Sequence, residues 1–271
     1  MKEDLALYIF QALTCSLSIA GSFIVIIIYI SAKSLRTFPF KLVFWLNLNN
    51  LFKSLAIIAS PELLNLPSIL CKLNAYILYS SSLAGILWTF VIAYKMNKCI
   101  LQNNSDLESD YFIYTLNLFL VPFSLCLVPF AFDLYGQSNF NCLLINTNLG
   151  EIFRFVLYYL PAFIVTIYCC VVYSRVLKKI NRENEESNNQ ILRLVYFPLI
   201  LIICIGPICV LRIFEVFGVF NFYIYLIFSG LWCLHGFIDA LAYAFTPPVI
   251  GYLKSVWNNE LGEGFIEIEK I

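Results

Sequence analysis

Residues 5–30 have the sequence LALYIFQALTCSLSIAGSFIVIIIYI, an apolar run that contains no formal charge. A helix of about 20 apolar residues is long enough to cross the hydrocarbon core of a bilayer. Lys2, Glu3 and Asp4 precede the run, whereas a cleavable secretory signal has a basic start and an apolar region of only about 7–15 residues. We therefore predict that residues 5–30 form a membrane-spanning helix that is retained.

Six further apolar runs follow along the chain. They cover residues 42–60, 73–94, 111–132, 152–173, 194–214 and 222–245. Backbone polar groups cannot stay unpaired in lipid, and the runs are too long for barrel strands, so each is predicted to be a helix. The sequence predicts an all-α fold, a seven-transmembrane helix bundle over residues 1–246, with no separate soluble domain.

The composition agrees with a membrane protein. The chain is 61% hydrophobic and 13% charged, against about 45–50% and about 25% in soluble domains. Its 17 basic and 17 acidic residues cancel, so no overall field would attract nucleic acid. We expect the lipid bilayer as the main environment and no nucleic-acid partner.

The distribution of Lys and Arg predicts the orientation in the membrane. Twelve of these residues lie on one set of connecting segments and four on the opposite set, with Lys53 inside an apolar run. Cytoplasmic loops carry the excess of basic residues. We therefore predict a multi-pass protein of the plasma membrane, with its N-terminus outside and its C-terminus inside.

Residues 247–271 are predicted to lie on the cytoplasmic side. The pair Pro247-Pro248 breaks the last span, and apolar residues then recur at helical spacing, namely Val249, Ile250, Leu253, Val256 and Trp257. Such a pattern indicates a short amphipathic helix on the inner leaflet. We expect the acidic end, from Glu260 onward, to be loose.

Of the ten cysteines, only Cys71 and Cys142 fall in outer connections. Only these two would meet an oxidising compartment, where disulfides form and persist. A bridge would tie the loop between the fourth and fifth helices to the start of the third. The alternative is that both are free thiols.

Three stretches carry a family resemblance. Residues 82–93 read SLAGILWTFVIA, residues 193–198 read RLVYFP and are followed by CIGP at 204–207, and residues 234–243 read LHGFIDALAY. These motifs resemble those of the class E G-protein-coupled receptors, the slime-mould cyclic-AMP receptor family. The chain departs from the pattern where Ile205 replaces a helix-six Trp.

The resemblance implies a G-protein-coupled receptor that transmits binding of an extracellular small ligand to a cytoplasmic heterotrimeric G protein, without a cofactor. The alternative is a seven-helix carrier of small, sugar-type solutes. An enzyme is not expected, because the single His and the absence of an acid cluster within the runs leave no catalytic set.

Ionisable groups within spans are costly and usually mark functional sites. Arg212 is the first candidate for an anionic ligand, since guanidinium pairs bidentately with phosphate or carboxylate. A rim ion pair with a nearby carboxylate, such as Glu215 or Asp133, is an equal alternative. The full set of candidate ligand contacts is Arg212, Glu215, Arg154, Tyr76 and His235, although His235 also fits a buried core histidine.

Asn50 and Asp239 form the candidate switch contact. Relatives in the resembled family have Asp in helix two and Asn in helix seven, so the two residues look like an exchange of partners between facing helices. A static polar bond between helices is the alternative. Trp88, Pro198 and Pro207 complete the predicted switch set, because prolines kink helices. Lys53, on the same helix as Asn50, is free to snorkel to the interface.

Basic residues cluster where the fifth helix extends into the cytoplasm and where the sixth begins. They are Arg175, Lys178, Lys179, Arg182 and Arg193. We predict that they contact a G-protein helix laid into the inner groove. The alternative is that they reflect only the general excess of positive charge on the inner side.

Overall fold

A computed structural model describes the backbone of residues 2–59, 67–102, 111–138, 141–183, 196–216 and 221–268. These residues form eight helices and one short hairpin. The helices are α1 Lys2–Ser31, α2 Phe38–Ile58, α3 Ser68–Gln102, α4 Tyr111–Ala131, α5 Asn148–Glu183, α6 Tyr196–Val216, α7 Phe222–Ala244 and α8 Pro247–Ile268. Each of the seven apolar runs coincides with one of the helices α1–α7.

Four of these helices are long and apolar enough to cross a bilayer. They are Glu3–Ser31, Ser68–Lys98, Asn148–Lys179 and Phe222–Ala244, and Thr115–Ala131 and Tyr196–Leu211 are shorter apolar helices. These helices are the ones found among the residues that the structure describes. The sevenfold crossing and the orientation of the termini stay predictions.

Helix α3 lies at the centre of the bundle. In its most apolar stretch 78% of the residues are buried, against 33% in α1 and α5 and 39% in α7. It packs against α2, α4, α5 and α6, while α7 packs against α1, α2 and α6. A side chain of α2, α3 or α7 that points to the interior of the bundle is therefore shielded from lipid.

The all-α prediction misses a two-stranded hairpin between α4 and α5. Strand β1 Tyr135–Ser138 pairs antiparallel with β2 Asn141–Leu144. Strands of four residues are too short to give a recognisable alternation, and their inner face packs on α3 instead of lipid. The buried Tyr135 hydroxyl donates to the Cys126 carbonyl at 3.0 Å, and its burial raises the pKa of this phenol, so it stays a donor.

Helix α5 contains a wide turn close to its N-terminal end. The segment Asn148–Arg154 is α-helical, Phe155–Tyr159 is a π-helical turn, and Leu160–Glu183 is α-helical again. Pro161 follows at once and has no N–H to donate to the preceding turn. Such turns are frequent at functional sites.

The prolines of α6 lie in different environments. Pro207 is inside the helix, as the predicted kink requires. Pro198 is the third described residue of α6, and the residues before Tyr196 lie outside the description. At Pro207 one interior hydrogen bond of α6 is lost, because proline has no N–H.

Helix α8 begins at the predicted proline pair but extends further than the apolar pattern indicates. It reaches Ile268, and the prediction of a loose acidic end stays a prediction. Val249 is buried against the bundle, whereas Leu253, Val256 and Trp257 are exposed. Their exposure fits a helix that rests on a membrane surface.

Candidate functional site

A cavity of about 470 Å³ opens at the end of the bundle where the chain begins, which is the predicted outer end. Ligand pockets commonly have volumes of about 300–1,000 Å³. Phe222 and Trp232 both line it, and ten helical residues separate them, so the cavity is about 15 Å deep along α7. The N-terminal parts of α1 and α5, the hairpin and the middle of α3 supply other walls.

Three of the described residues that line the cavity carry a formal charge, and all three lie at its mouth. Glu3 and Asp4 lie in the first turn of α1, and Arg154 lies in α5 just before the π-helical turn. Arg154 donates from Nη2 to the Leu144 carbonyl and, at 3.0 Å, to Asn146 Oδ1. Its Nε is buried and has no hydrogen-bond partner among the described residues.

Aromatic rings form the floor of the cavity. Tyr79, Tyr158 and Trp232 line it, and the ring of Tyr158 meets that of Trp232 edge to face at 6.1 Å. The Tyr158 hydroxyl is buried without a hydrogen-bond partner within the described chain. Tyr159 lines the cavity as well, because the widened turn directs two successive residues toward it.

A second group of polar side chains is buried below this floor. Asn50 Nδ2 donates to Asp239 Oδ2 at 2.9 Å, and His235 Nδ1 lies 3.1 Å from Asn50 Oδ1. The exposed fraction is 3% for Asn50, 0% for Asp239 and 2% for His235. We call Asn50, His235 and Asp239 the polar core; it joins α2 to α7.

Lys53 bonds to the cavity floor one helical turn from the polar core. Its Nζ donates to the Trp232 carbonyl at 3.1 Å and lies 5.3 Å from the centre of the Trp232 ring. Only 3% of the residue is exposed, so the prediction that it snorkels is wrong. Lys53 is one helical turn from Asn50, and Trp232 is one turn from His235.

The predicted bridge between Cys71 and Cys142 is present, with the two Cα atoms 5.3 Å apart. It joins β2 to the first turn of α3. Both cysteines are buried in one cluster with Tyr79 and Tyr135. The disulfide therefore fixes the hairpin at the cavity mouth, and the free-thiol alternative is excluded.

The other predicted ligand contacts either lie away from the cavity or have side chains that the structure does not describe. Tyr76 donates to the Phe123 carbonyl at 3.1 Å, between α3 and α4, and His235 belongs to the polar core. Arg212 and Glu215 lie in α6, but their side chains fall outside the described residues. Of the predicted set, Arg154 is the residue that the structure places in the cavity wall.

The remaining predictions concern Trp88 of the switch set and the basic residues predicted to contact a G protein. Trp88 is buried beside Trp45, with ring centres 6.2 Å apart, between α2, α3 and α4, and it is not part of the polar core. Near the C-terminal end of α5, Arg175 and Lys178 are exposed and Lys179 is half-buried. The Arg182 side chain and the whole of Arg193 lie outside the described residues.

Sequence reasoning missed the aromatic floor and the role of Lys53. Tyr79, Tyr158 and Trp232 lie in apolar runs where aromatic residues are abundant, and no pattern distinguishes a cavity wall from ordinary core. Lys53 gave a usable signal, because a charge inside a span is expensive and seeks a partner.

Exchanging Asn50 and Asp239 tests their contact. We expect Asn50→Asp and Asp239→Asn each to lower the stability of the protein by about 1 kcal/mol, the usual worth of a polar bond between membrane helices. The double exchange restores one acid facing one amide, so its thermal midpoint in detergent micelles should return toward the wild-type value. Additive losses in the double variant would contradict the contact.

Comparison with known proteins agrees with this architecture. The family model for the slime mold cyclic AMP receptor matches residues 1–259. G-protein coupled receptor 1 of Arabidopsis thaliana is 25% identical over 256 residues, which cover 86% of this chain and 76% of the relative. Cyclic AMP receptor-like protein A of Dictyostelium discoideum is 25% identical over 185 residues, and latrophilin receptor-like protein A of the same organism is 27% identical over 175.

The coverage of these relatives differs. The matches span 68% and 65% of this chain but only 48% and 55% of the two Dictyostelium discoideum proteins, about half the length of each. The family model, by contrast, spans helices α1–α7 and the first part of α8. The chain therefore belongs to the slime mold cyclic AMP receptor family.

Proposed function

We propose that the chain is a seven-span receptor of the plasma membrane. It binds a small extracellular ligand in the outer cavity and transmits this event to a heterotrimeric G protein in the cytoplasm. Membership of a receptor family and the apolar helices support the proposal. The observation that carries it is the position of Lys53, which bonds to the cavity floor at Trp232 one helical turn from Asn50, and Asn50 in turn bonds to Asp239.

The contacts suggest how a ligand acts. A molecule that packs on Trp232 changes the position of its ring or backbone, and Lys53 bonds to both. Any shift of Lys53 acts on α2 one turn from Asn50 and so on the bond to Asp239. A ligand that binds one arrangement of α2 and α7 more tightly than another shifts the population toward that arrangement.

The inner end of α5 supplies the proposed contact surface for the G protein. Arg175 and Lys178 are exposed there, and Arg182 and Arg193 continue the basic sequence. Charge complementarity speeds association and selects partners. An opened groove beside α5 would receive a helix of the partner.

Nucleotide exchange tests the receptor proposal. The chain is reconstituted in phospholipid vesicles with a heterotrimeric G protein, and exchange of bound GDP for a GTP analogue is followed with and without added small molecules. The proposal expects exchange above that of vesicles without the chain, increased further by a molecule that enters the cavity. Sugar flux across the same vesicles, with no effect on exchange, would favour the carrier and overturn the receptor.

Charge reversal on α5 separates a binding surface from a general excess of inner positive charge. We expect Arg175→Glu with Lys178→Glu to lower the rate of exchange about tenfold, because like charges would then face an acidic partner surface. The matched control is Lys33→Glu with Lys254→Glu, two exposed cations away from α5. An equal loss in both pairs would contradict a specific surface.

A further inference from the structure

Two cysteines in the interior of the bundle lie against each other. Cys15 of α1 and Cys233 of α7 are both fully buried and unbridged. Their thiols share a hydrogen bond, and both residues belong to one small apolar cluster. Because buried structural cysteines are usually inert, the chemistry of this pair depends on its geometry and on whether an oxidant reaches it.

The close packing of α1 on α7 holds the two thiols in register. A Cβ atom built at Gly230 would clash with the ring of Phe10, and one built at Gly236 would clash with Ser18 Oγ. The cysteine pair lies between these two contacts along both helices. A disulfide needs sulfur atoms about 2 Å apart, and thiols that already share a hydrogen bond reach this separation by a small movement of their side chains.

The outer cavity gives access to the pair. Ile57, Leu78 and Trp232 line the cavity and also belong to the cluster that contains both cysteines. Gln11 and Ser229 line the cavity as well, and each is one helical turn before a cysteine of the pair. A small uncharged molecule in the cavity is therefore one layer of side chains from the thiols.

Lys53 supplies a counter-charge for the reaction. Its Nζ bonds to the carbonyl of Trp232, the residue before Cys233, and it interacts electrostatically with both thiols. The thiolate is the form of cysteine that attacks an oxidant, and an isolated thiolate in an apolar interior is costly. The ammonium group offsets part of that cost.

We propose that Cys15 and Cys233 are an oxidisable dithiol, which hydrogen peroxide entering through the cavity converts into a disulfide between α1 and α7. One thiolate attacks the peroxide, so that an S–O bond forms, the O–O bond breaks, and a sulfenic acid and water result. The second sulfur attacks the first, the S–S bond forms, the S–O bond breaks, and a second water leaves. The two thiols lose two electrons and two protons, and the peroxide takes up both.

The bridge acts on the packing around the polar core. It joins α7 to α1 one helical turn before Gly236, the position at which α7 approaches Asn50 of α2. Helix α7 then no longer moves independently of α1. The oxidised chain should also have a higher thermal midpoint than the reduced chain, because a crosslink restricts the unfolded state.

Mass spectrometry of the wild-type chain tests the proposal. The full chain in lipid nanodiscs is treated with hydrogen peroxide, the excess is removed with catalase, free thiols are blocked in denaturant, and the chain is digested without reduction. We expect a pair of peptides joined through Cys15 and Cys233, and a loss of two free thiols per chain.

Two matched pairs of variants identify the residues and the route. In Cys15→Ser the peroxide should remove no thiols and leave the thermal midpoint unchanged, whereas Cys209→Ser, which removes another buried cysteine, should keep both effects. Leu7→Trp, which narrows the cavity, should slow formation of the bridge. Leu5→Trp changes an exposed leucine of α1 outside the described cavity lining and should not slow it.

Three results would overturn the proposal: no joined peptide at a peroxide dose that oxidises glutathione added to the same sample, a joined peptide only after the chain is unfolded, or an equal loss of thiols in Cys15→Ser. An unchanged rate in Leu7→Trp would contradict entry through the cavity. None of these readouts needs a ligand or a G protein, so they stand apart from the outcome of the receptor proposal.

Discussion

Replacing Gly236 with Ala should lower the free energy of unfolding by about 2 kcal/mol, within the range for overpacked interiors. A Cβ atom at this position would clash with Ser18 Oγ and would lie 2.8 Å from Ser22 Oγ and 2.9 Å from Asn50 Cβ. The serine hydroxyls can rotate away, but the Asn50 Cβ moves only with α2. The substitution therefore separates α7 from α2 at the polar core.

Gly85 provides the matched control for this prediction. It is a buried helical glycine of α3, and nothing lies within 4 Å of a Cβ built there. Gly85→Ala should therefore be neutral or stabilising, since Ala favours helix over Gly by about 1 kcal/mol. Thermal unfolding of both variants in the same micelles is the measurement. Equal midpoints would show that Gly236 is not at a close helix contact.

Removing the disulfide is the second change with a large expected effect. Loss of a native bridge commonly costs about 2–5 kcal/mol, and here the bridge joins β2 to α3 across 71 residues of sequence. Cys71→Ser should lower the thermal midpoint and loosen the hairpin at the cavity mouth. The double variant with Cys142→Ser should lose about as much as the single variant, because either change removes the whole bond.

The control for the bridge uses the same chemistry without a crosslink. Cys170 is an exposed, unbridged cysteine of α5, and Cys170→Ser should leave the midpoint unchanged. Treatment of the wild-type chain with a reducing agent should reproduce the Cys71→Ser result. A Cys71→Ser variant as stable as the wild type under oxidising conditions would contradict a structural role for the bridge.

Hydropathy accounts for most of the fold. Residues 5–30 and 222–245 are predominantly apolar over lengths that only a helix explains, and α1 and α7 follow them within a few residues at each end. The contact between Asn50 and Asp239 was also accessible from sequence, because polar residues in spans are few and must find each other. The family resemblance then indicated which two helices face each other.

The short hairpin and the positions of individual side chains could not be predicted from hydropathy. The hairpin of Tyr135–Ser138 and Asn141–Leu144 is too short to show a period of two. Nothing in the sequence distinguishes Trp232, which lines the cavity, from Trp88, which fills the core. Lys53 bonds to the Trp232 carbonyl, a backbone group that no sequence pattern marks.

The location of the two termini tests the central claim, a receptor with its ligand cavity outside the cell and its G-protein surface inside. Epitope tags are attached before Met1 and after Ile271, and antibodies are applied to intact and to permeabilised cells. An odd number of crossings with Glu3 and Asp4 at the outer mouth requires the N-terminal tag to be labelled on intact cells and the C-terminal tag only after permeabilisation. Labelling of both tags from the same side would contradict the account.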